Sequence, residues 1–141
     1  MAPICEAVAR MIVGIGIDLV DIVRVKRLMT LRGDRALMRL FTEREVEYAM
    51  GRAQPYVHLA ARVAAKEATY KALSGSHHAR GIGWRDMEVS SAAGGKPSLL
   101  LHGAAAVRAA ELRVQRAWLT LSHSESTAGA FVVLEAAGDH G

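Results

Sequence analysis

The sequence contains one cysteine, Cys5. No disulfide can form within the chain, and no cysteine-based zinc site can be assembled. A reducing compartment, the cytoplasm, is the matching expectation. Aromatic residues are equally sparse, at 5% of the chain, and are scattered. They poorly supply the stacking platforms on which single-stranded nucleic acids are held. No run approaches the roughly 20 apolar residues of a membrane span. The apolar stretch Ala7 to Val20 is interrupted by Arg10 and closed by Asp18 and Asp21, and no small-residue cleavage site follows. A signal peptide is therefore not expected. Repeats, low-complexity tracts and linkers are absent. A dinucleotide fingerprint fails at Gly14-x-Gly16-x-x-Leu19, which lacks the third glycine. A hydrolase elbow of the G-x-S-x-G type is missing too, so Ser122-His123-Ser124 does not make a serine hydrolase.

Hydrophobic residues make up 51% of the 141 positions. With so few aromatics, the core has to be built from Ala, Val, Leu and Ile. A chain of this size is one domain and buries roughly two-thirds of its unfolded surface. The domain is expected over residues 11–136, with residues 1–10 an N-terminal extension outside the strand pattern and 137–141 a tail. The net charge is +4, and its excess is local. Arg24, Lys26, Arg27, Arg32, Arg35, Arg39 and Arg44 stand against only Asp34 and Glu43 between positions 24 and 44. Such a run is ordinarily a solvated face; it also suits an acidic partner.

Met11 to Val20 reads as a strand. Residues 22–32 read as a short helix, followed by the turn signal Gly33-Asp34. Phe41-Thr42-Glu43-Arg44-Glu45-Val46 is a helix start, with Thr42 and Glu45 forming a capping box and Phe41 stapling to Val46; the helix ends near Gly51. Leu59 to Leu73 is the strongest helix, with six alanines and no Gly or Pro. Ser74-Gly75-Ser76 stops it. Strands follow at Met87–Ser91 and Ser98–Leu101 around Ala92-Ala93-Gly94-Gly95. A helix follows over Ala104–Arg113, and then strands at Ala117–His123 and Ala130–Glu135. This order predicts an α+β fold with mostly antiparallel pairing and a long central helix.

Alternation along the first strand places Val13, Ile15, Ile17 and Leu19 on one face and Gly14, Gly16 and Asp18 on the other. The plainer reading is that the glycines accommodate a helix and Asp18 caps the next one. On the long helix, Leu59, Val63, Glu67 and Tyr70 share a row, so Glu67 lies in line with an apolar stripe. A carboxylate there needs a partner. Lys71, four residues on, is the ordinary candidate. Taken together, Asp18 and Glu67 would suit Mg²⁺, which takes one or two protein carboxylates and completes its shell with phosphates and water. Mn²⁺ suits the same oxygens. Arg62, Lys66 and Lys71 lie on nearby turns and could neutralise phosphates beside such a metal. His77-His78 lacks the acidic or cysteine neighbours of a metal site.

Four segments, in order, resemble the bacterial holo-(acyl-carrier-protein) synthases: Gly14-Ile15-Gly16-Ile17-Asp18-Leu19-Val20; Arg62-Val63-Ala64-Ala65-Lys66-Glu67-Ala68 with Lys71-Ala72; Gly95-Lys96-Pro97; and Ser122-His123-Ser124. The resemblance covers residues 11 to about 136. It implies transfer of 4′-phosphopantetheine from coenzyme A to a serine of an apo acyl carrier protein, releasing 3′,5′-ADP, in support of fatty acid synthesis. It assigns Asp18 and Glu67 to the metal and Lys71 to the phosphates, with Glu67 and Lys71 the catalytic residues. It places Arg62, Lys66, Ser74, Gly75, Lys96, Pro97 and His123 near the nucleotide. Arg24, Arg27 and Arg32 become docking residues for an acidic carrier protein, and a homotrimer with sites at subunit boundaries is implied. Two departures stand out: Ser74-Gly75-Ser76 replaces a common Gly-Thr-Gly, and Ser90-Ser91-Ala92-Ala93 replaces a stretch that often carries Asn-Asp. Glu45 is a candidate base by position, although the capping box is the stronger reading. The alternatives are a basic α+β module binding RNA or another polyanion without catalysis, and a carrier transferase of the longer, two-half kind.

Overall fold

The computed structural model describes residues 9–75, 77–91 and 95–138. The expected extension up to residue 8, the turn at 92–94, Ser76 and the end of the tail lie outside the described residues.

Three strands form one antiparallel sheet: β1 (Arg10–Asp21), β4 (Val114–His123) and β5 (Thr127–Ala137), in the order β1-β5-β4. A separate antiparallel hairpin pairs β2 (Met87–Ser91) with β3 (Pro97–Leu101). The helices are α1 (Ile22–Arg32), α2 (Asp34–Leu40), α3 (Glu43–Met50), α4 (Pro55–Leu73) and α5 (Gly103–Glu111). The α+β class and the antiparallel pairing agree with expectation.

Helix α4 is the spine. Its alanines Ala64, Ala65, Ala68 and Ala72 pack with Val132 and Leu134 of β5, Met87 and Val89 of β2, and Ala105 of α5. Nearer its start, Leu59, Ala60 and Ala61 pack with Val25 and Met29 of α1, and with Phe41 and Ala49. It starts at Pro55, earlier than the sequence pattern suggested, because proline at the first turn is compatible with helix although no side chain caps Gln54. At α3 the capping box is present: the Glu45 amide donates to Thr42 Oγ1 at 3.3 Å, and the Thr42 amide donates to Glu45 Oε1 at 3.0 Å. Gly33, at φ 55°, separates α1 from α2. The short α2 is absent from the sequence reading, which saw only a turn there.

The glycine face of β1 is the buried one. A Cβ on Gly14 would stand 2.2 Å from the carbonyl oxygen of Ala72, and one on Gly16 would stand 1.8 Å from that of Ala68. Both clashes are with backbone, so only glycine permits β1 to lie this close to α4. The reading that the glycines accommodate a helix is correct. A register shift between Ile12 and Gly14 turns Val13 toward the core, away from the row assigned to it. The rest of that row, Ile15, Ile17 and Leu19, faces outward together with Phe131 and Trp118, and Ile17 and Leu19 are 62% and 70% exposed.

Candidate active site

The close approach of β1 to α4 brings Asp18 and Glu67 face to face. The Glu67 carboxyl is pushed up to about 7, first by a hydrogen bond shared with Asp18, then by burial and by the Asp18 charge, with Lys71 and Arg24 opposing. When neither carboxyl carries the shared proton, the buried Asp18 oxygen Oδ2 has no hydrogen-bond partner. The other, Oδ1, accepts from Lys71 Nζ at 2.9 Å, and the same ammonium donates to the Ile17 carbonyl at 3.0 Å. Lys71 thus bonds to Asp18, and the expected ion pair within the helix is not the one that forms. Asp18 does not cap α1: its neighbour Asp21 occupies that position and makes no side-chain cap bond.

Two carboxylates in contact repel unless a proton or a cation joins them. The orphaned Asp18 oxygen and the raised Glu67 pKa therefore fit a divalent cation with a preference for oxygen. Among the described residues no group of three or more Asp, Glu, His or Cys side chains gathers in this way. A pair suffices for Mg²⁺, whose remaining positions go to water and phosphate.

Beside the pair lies a cavity of about 450 Å³ lined by Glu67, Tyr70, Lys71, Arg80, Ile82 and Trp84. On its other flank a groove of about 500 Å³ runs along α1, bounded by Arg24, Arg27, Leu28, Glu67 and Trp84. Arg32 lies farther along, in a groove of about 480 Å³ with Arg35, Arg39 and Trp84. Trp84 and Glu67 link these spaces, and the basic face of α1 abuts the carboxylates. Arg80 and Trp84 were not singled out from sequence. They belong to the connection after α4, whose two 3₁₀ segments (His77–Gly81 and Trp84–Asp86) carry no periodic signal.

Other expected site residues are distributed differently. Ser74 and Gly75 stand exposed at the end of α4, where Ser74 Oγ donates to the Lys71 carbonyl at 2.7 Å and Gly75 has φ 110°. Arg62 is buried on the far side of α4. Its guanidinium stacks on Tyr48 at 4.3 Å and donates to Ser91 Oγ at 2.9 Å and the His58 carbonyl at 3.3 Å, leaving Nε without a partner. Burial, followed by the charges of Arg62, Arg52 and His123, holds the His58 pKa below its usual value. His123 sits exposed at the end of β4. Lys96 and Pro97 line a different cleft, of about 760 Å³, with Arg116 and Trp118. A single chain does not bring these last residues onto the carboxylate pair.

Lys66 differs most from expectation. Its side chain is completely buried, and its ammonium donates to Glu45 Oε1 at 2.7 Å, the Met87 carbonyl at 2.5 Å and the Trp84 carbonyl at 3.0 Å. Three hydrogens meet three acceptors, so none remains for a phosphate. Glu45, also fully buried, accepts from Lys66, Thr42 and Val89. The capping-box reading of Glu45 is the one its bonds support.

The sequence profile of the 4′-phosphopantetheinyl transferase superfamily matches residues 14–132, and the chain belongs to this family. It is similar to the holo-[acyl-carrier-protein] synthase of Geobacter sulfurreducens, at 46% identity over 125 residues covering 89% of this chain and 98% of that protein. The fold matches the crystal structure of the Neisseria meningitidis holo-[acyl-carrier-protein] synthase with a TM-score of 0.76 at 32% identity, covering 88% of this chain and 98% of that one. It also matches the Bacillus anthracis synthase in complex with CoA (3′,5′-ADP), with a TM-score of 0.71 at 33% identity, over 90% and 99% of the two chains. The match to a transferase family over residues 14–132 favours a catalytic domain over a polyanion-binding module without an activity, and the chain covers 98% of the Geobacter sulfurreducens synthase, a protein of the short kind.

Proposed function

We propose that this chain is a holo-[acyl-carrier-protein] synthase: it moves 4′-phosphopantetheine from coenzyme A to a serine of an apo acyl carrier protein. The observation that carries this reading is the Asp18–Glu67 pair with Lys71 bonded to it, set at the meeting of a cavity and a basic groove. The carrier serine oxygen attacks the β-phosphorus of the diphosphate. The bond between that phosphorus and the bridging oxygen breaks, and 3′,5′-ADP leaves. The serine proton passes to solvent.

Asp18 and Glu67 would hold Mg²⁺, or Mn²⁺ with the same oxygens; when bound, the ion polarises the diphosphate and offsets its charge. Lys71, with its ammonium already beside the pair, neutralises charge gathering on the leaving phosphate. His123, Ser74, Gly75, Lys96 and Pro97 contact the nucleotide, while Arg62, buried and bonded to Ser91 and the His58 carbonyl, stands behind them. Lys66 is not in this set, since its donors are already used. Arg24, Arg27 and Arg32 receive the acidic carrier protein, where charge complementarity chiefly sets encounter rate and selectivity.

The protein works as a homotrimer. The outward face of Ile15, Ile17, Leu19, Trp118 and Phe131 is apolar and large, and such a patch marks an interface. Assembly also accounts for the separation of Lys96 and Pro97 from the carboxylates within one chain: they serve a neighbour's site. The enzyme acts in the cytoplasm in support of fatty acid synthesis. The single cysteine agrees with this, and no helix among the described residues is long and apolar enough to cross a membrane.

The deciding experiment is intact-mass spectrometry of an apo acyl carrier protein incubated with this protein, coenzyme A and Mg²⁺. A gain of one phosphopantetheine, abolished by EDTA, is expected. No gain with several carrier proteins would overturn the reading.

A further inference from the structure

The buried ion pair of Glu45 and Lys66 has no part in the chemistry above, and its surroundings give it another. We propose that Glu45 and Lys66 are positioning residues: their ion pair fixes the rotation of α4 and the seat of the Trp84–Met87 wall, and thereby aims Glu67 at Asp18. The proposal rests on the transferase reading of the site.

Three parts of the chain converge on the pair. Glu45 belongs to the first turn of α3 and is held there by the Thr42 amide at 3.0 Å. Lys66 projects from the middle of α4. The acceptors of its two remaining hydrogens, the carbonyls of Trp84 and Met87, bracket the short segment that leads into β2, and Glu45 Oε2 accepts from Val89 two residues later at 3.1 Å. Thr42 extends the arrangement by donating from Oγ1 to the buried Glu88 carboxylate, whose other oxygen meets His102 Nε2 at 3.2 Å.

A buried ion pair is a poor source of net stability. Removing both charges from water offsets most of their attraction, and a well-packed apolar substitute is often neutral or better. What three hydrogen bonds from one ammonium do supply is direction. Successive helix residues point about 100° apart. Holding Lys66 against α3 and the Trp84–Met87 segment therefore fixes the bearing of Glu67, the next residue, toward β1. The same bonds hold Trp84 and Met87, which line the cavity beside Glu67. One ammonium thus registers the carboxylate and the facing wall together.

The test compares wild type with Glu45→Gln/Lys66→Met, which removes both charges, and with Glu45→Asp, which keeps the pair but shortens it by one methylene. Thermal melting, the KM for coenzyme A, kcat, and Mg²⁺ affinity by calorimetry are measured on each. The double variant should fold but melt below wild type, because the Trp84 and Met87 carbonyls lose their donor, and should keep its KM while kcat falls about 100-fold, the scale of a 1 Å misplacement at a reacting centre. Its Mg²⁺ affinity should fall about tenfold, as when groups behind a metal ligand are lost. Glu45→Asp should shift kcat and Mg²⁺ affinity in the same direction. A folded double variant with kcat within twofold of wild type would overturn the proposal. If the double variant does not fold, Glu45→Asp decides on the same criterion. Collapse of both variants would show a purely structural pair and would also overturn it. Absence of transfer by wild type itself would instead count against the transferase reading.

Discussion

Gly16 and the carbonyl of Ala68 are in such close contact that a methyl group on Gly16 would stand 1.8 Å from the oxygen. This contact places β1 against α4 and so places Asp18 beside Glu67. Gly16→Ala has to push strand and helix apart, because the obstacle is backbone and cannot rotate away. Overpacking of this kind costs roughly 1–3 kcal/mol and more where backbone must move. The expected outcome is a lower melting temperature with a disproportionate loss of Mg²⁺-dependent transfer. The same substitution at Gly33, where no atom lies within 4 Å but φ is 55°, should destabilise without a separate loss of turnover. Melting and transfer assays on the two variants check the contrast.

Glu67→Ala removes a proposed metal ligand while shortening a half-buried side chain on a helix that alanine suits. The fold should survive, by circular dichroism, and transfer should fall by at least about 100-fold, since even outer-shell partners of metal ligands are worth 10–100-fold. Normal turnover would sink the metal assignment.

The raised pKa of Glu67 predicts a pH signature in the metal-free protein. Its carboxyl ionises near 4.5 when unfolded and near 7 when folded, so the folded state holds the proton longer. Stability from this group is present below about 4.5 and is lost as pH rises through 7. In EDTA, Glu67→Gln should therefore gain in melting temperature relative to wild type between pH 5 and pH 8, and the gain should level off above 8. Adding Mg²⁺ at pH 8 should restore wild type and leave the variant unchanged. A difference that stays constant across this range would remove the coupling between the two carboxylates.

The elements were legible where local chemistry speaks for itself. The capping box at Thr42 and Glu45 is readable as residues three apart, and the alanine-rich run of α4 as a helix that approaches its neighbours closely. The two carboxylates were legible in suggestive settings, but that they meet depends on two glycines facing two carbonyls, which no periodicity states. For Lys66, spacing along the helix says which turn the cation is on, not that its ammonium turns inward to Glu45 and two carbonyls. The cavity wall at Arg80 and Trp84 comes from 3₁₀ turns without pattern. The outward apolar row of β1 was seen as a row, but sequence alternation does not tell which face meets the core.

Arg24 lies in the groove that borders Glu67, on the exposed side of α1. Arg24→Glu reverses a charge at the proposed landing surface and leaves the cavity at Lys71 alone. Binding of the apo carrier protein should weaken by roughly tenfold or more, chiefly through a slower association that loses its salt dependence. Coenzyme A binding should remain unchanged. Calorimetry with each ligand separates the two; the reverse pattern would move the docking surface elsewhere.

The outward face of β1 offers the test of assembly. Ile17 is paired in register with Phe131 and both are exposed in the single chain. If this face is covered by neighbouring copies, an ion there would be buried without a partner, which an interface tolerates poorly. Ile17→Glu should therefore convert a trimer into monomers in light scattering coupled to size exclusion. The monomer should stay folded, since the α4 side of the sheet is untouched. It should also lose transfer, because Lys96 and Pro97 would no longer reach a neighbour's carboxylate pair. Full activity in a monomeric variant would show that one chain holds a complete site, and the division of the nucleotide contacts between subunits would then have to be abandoned.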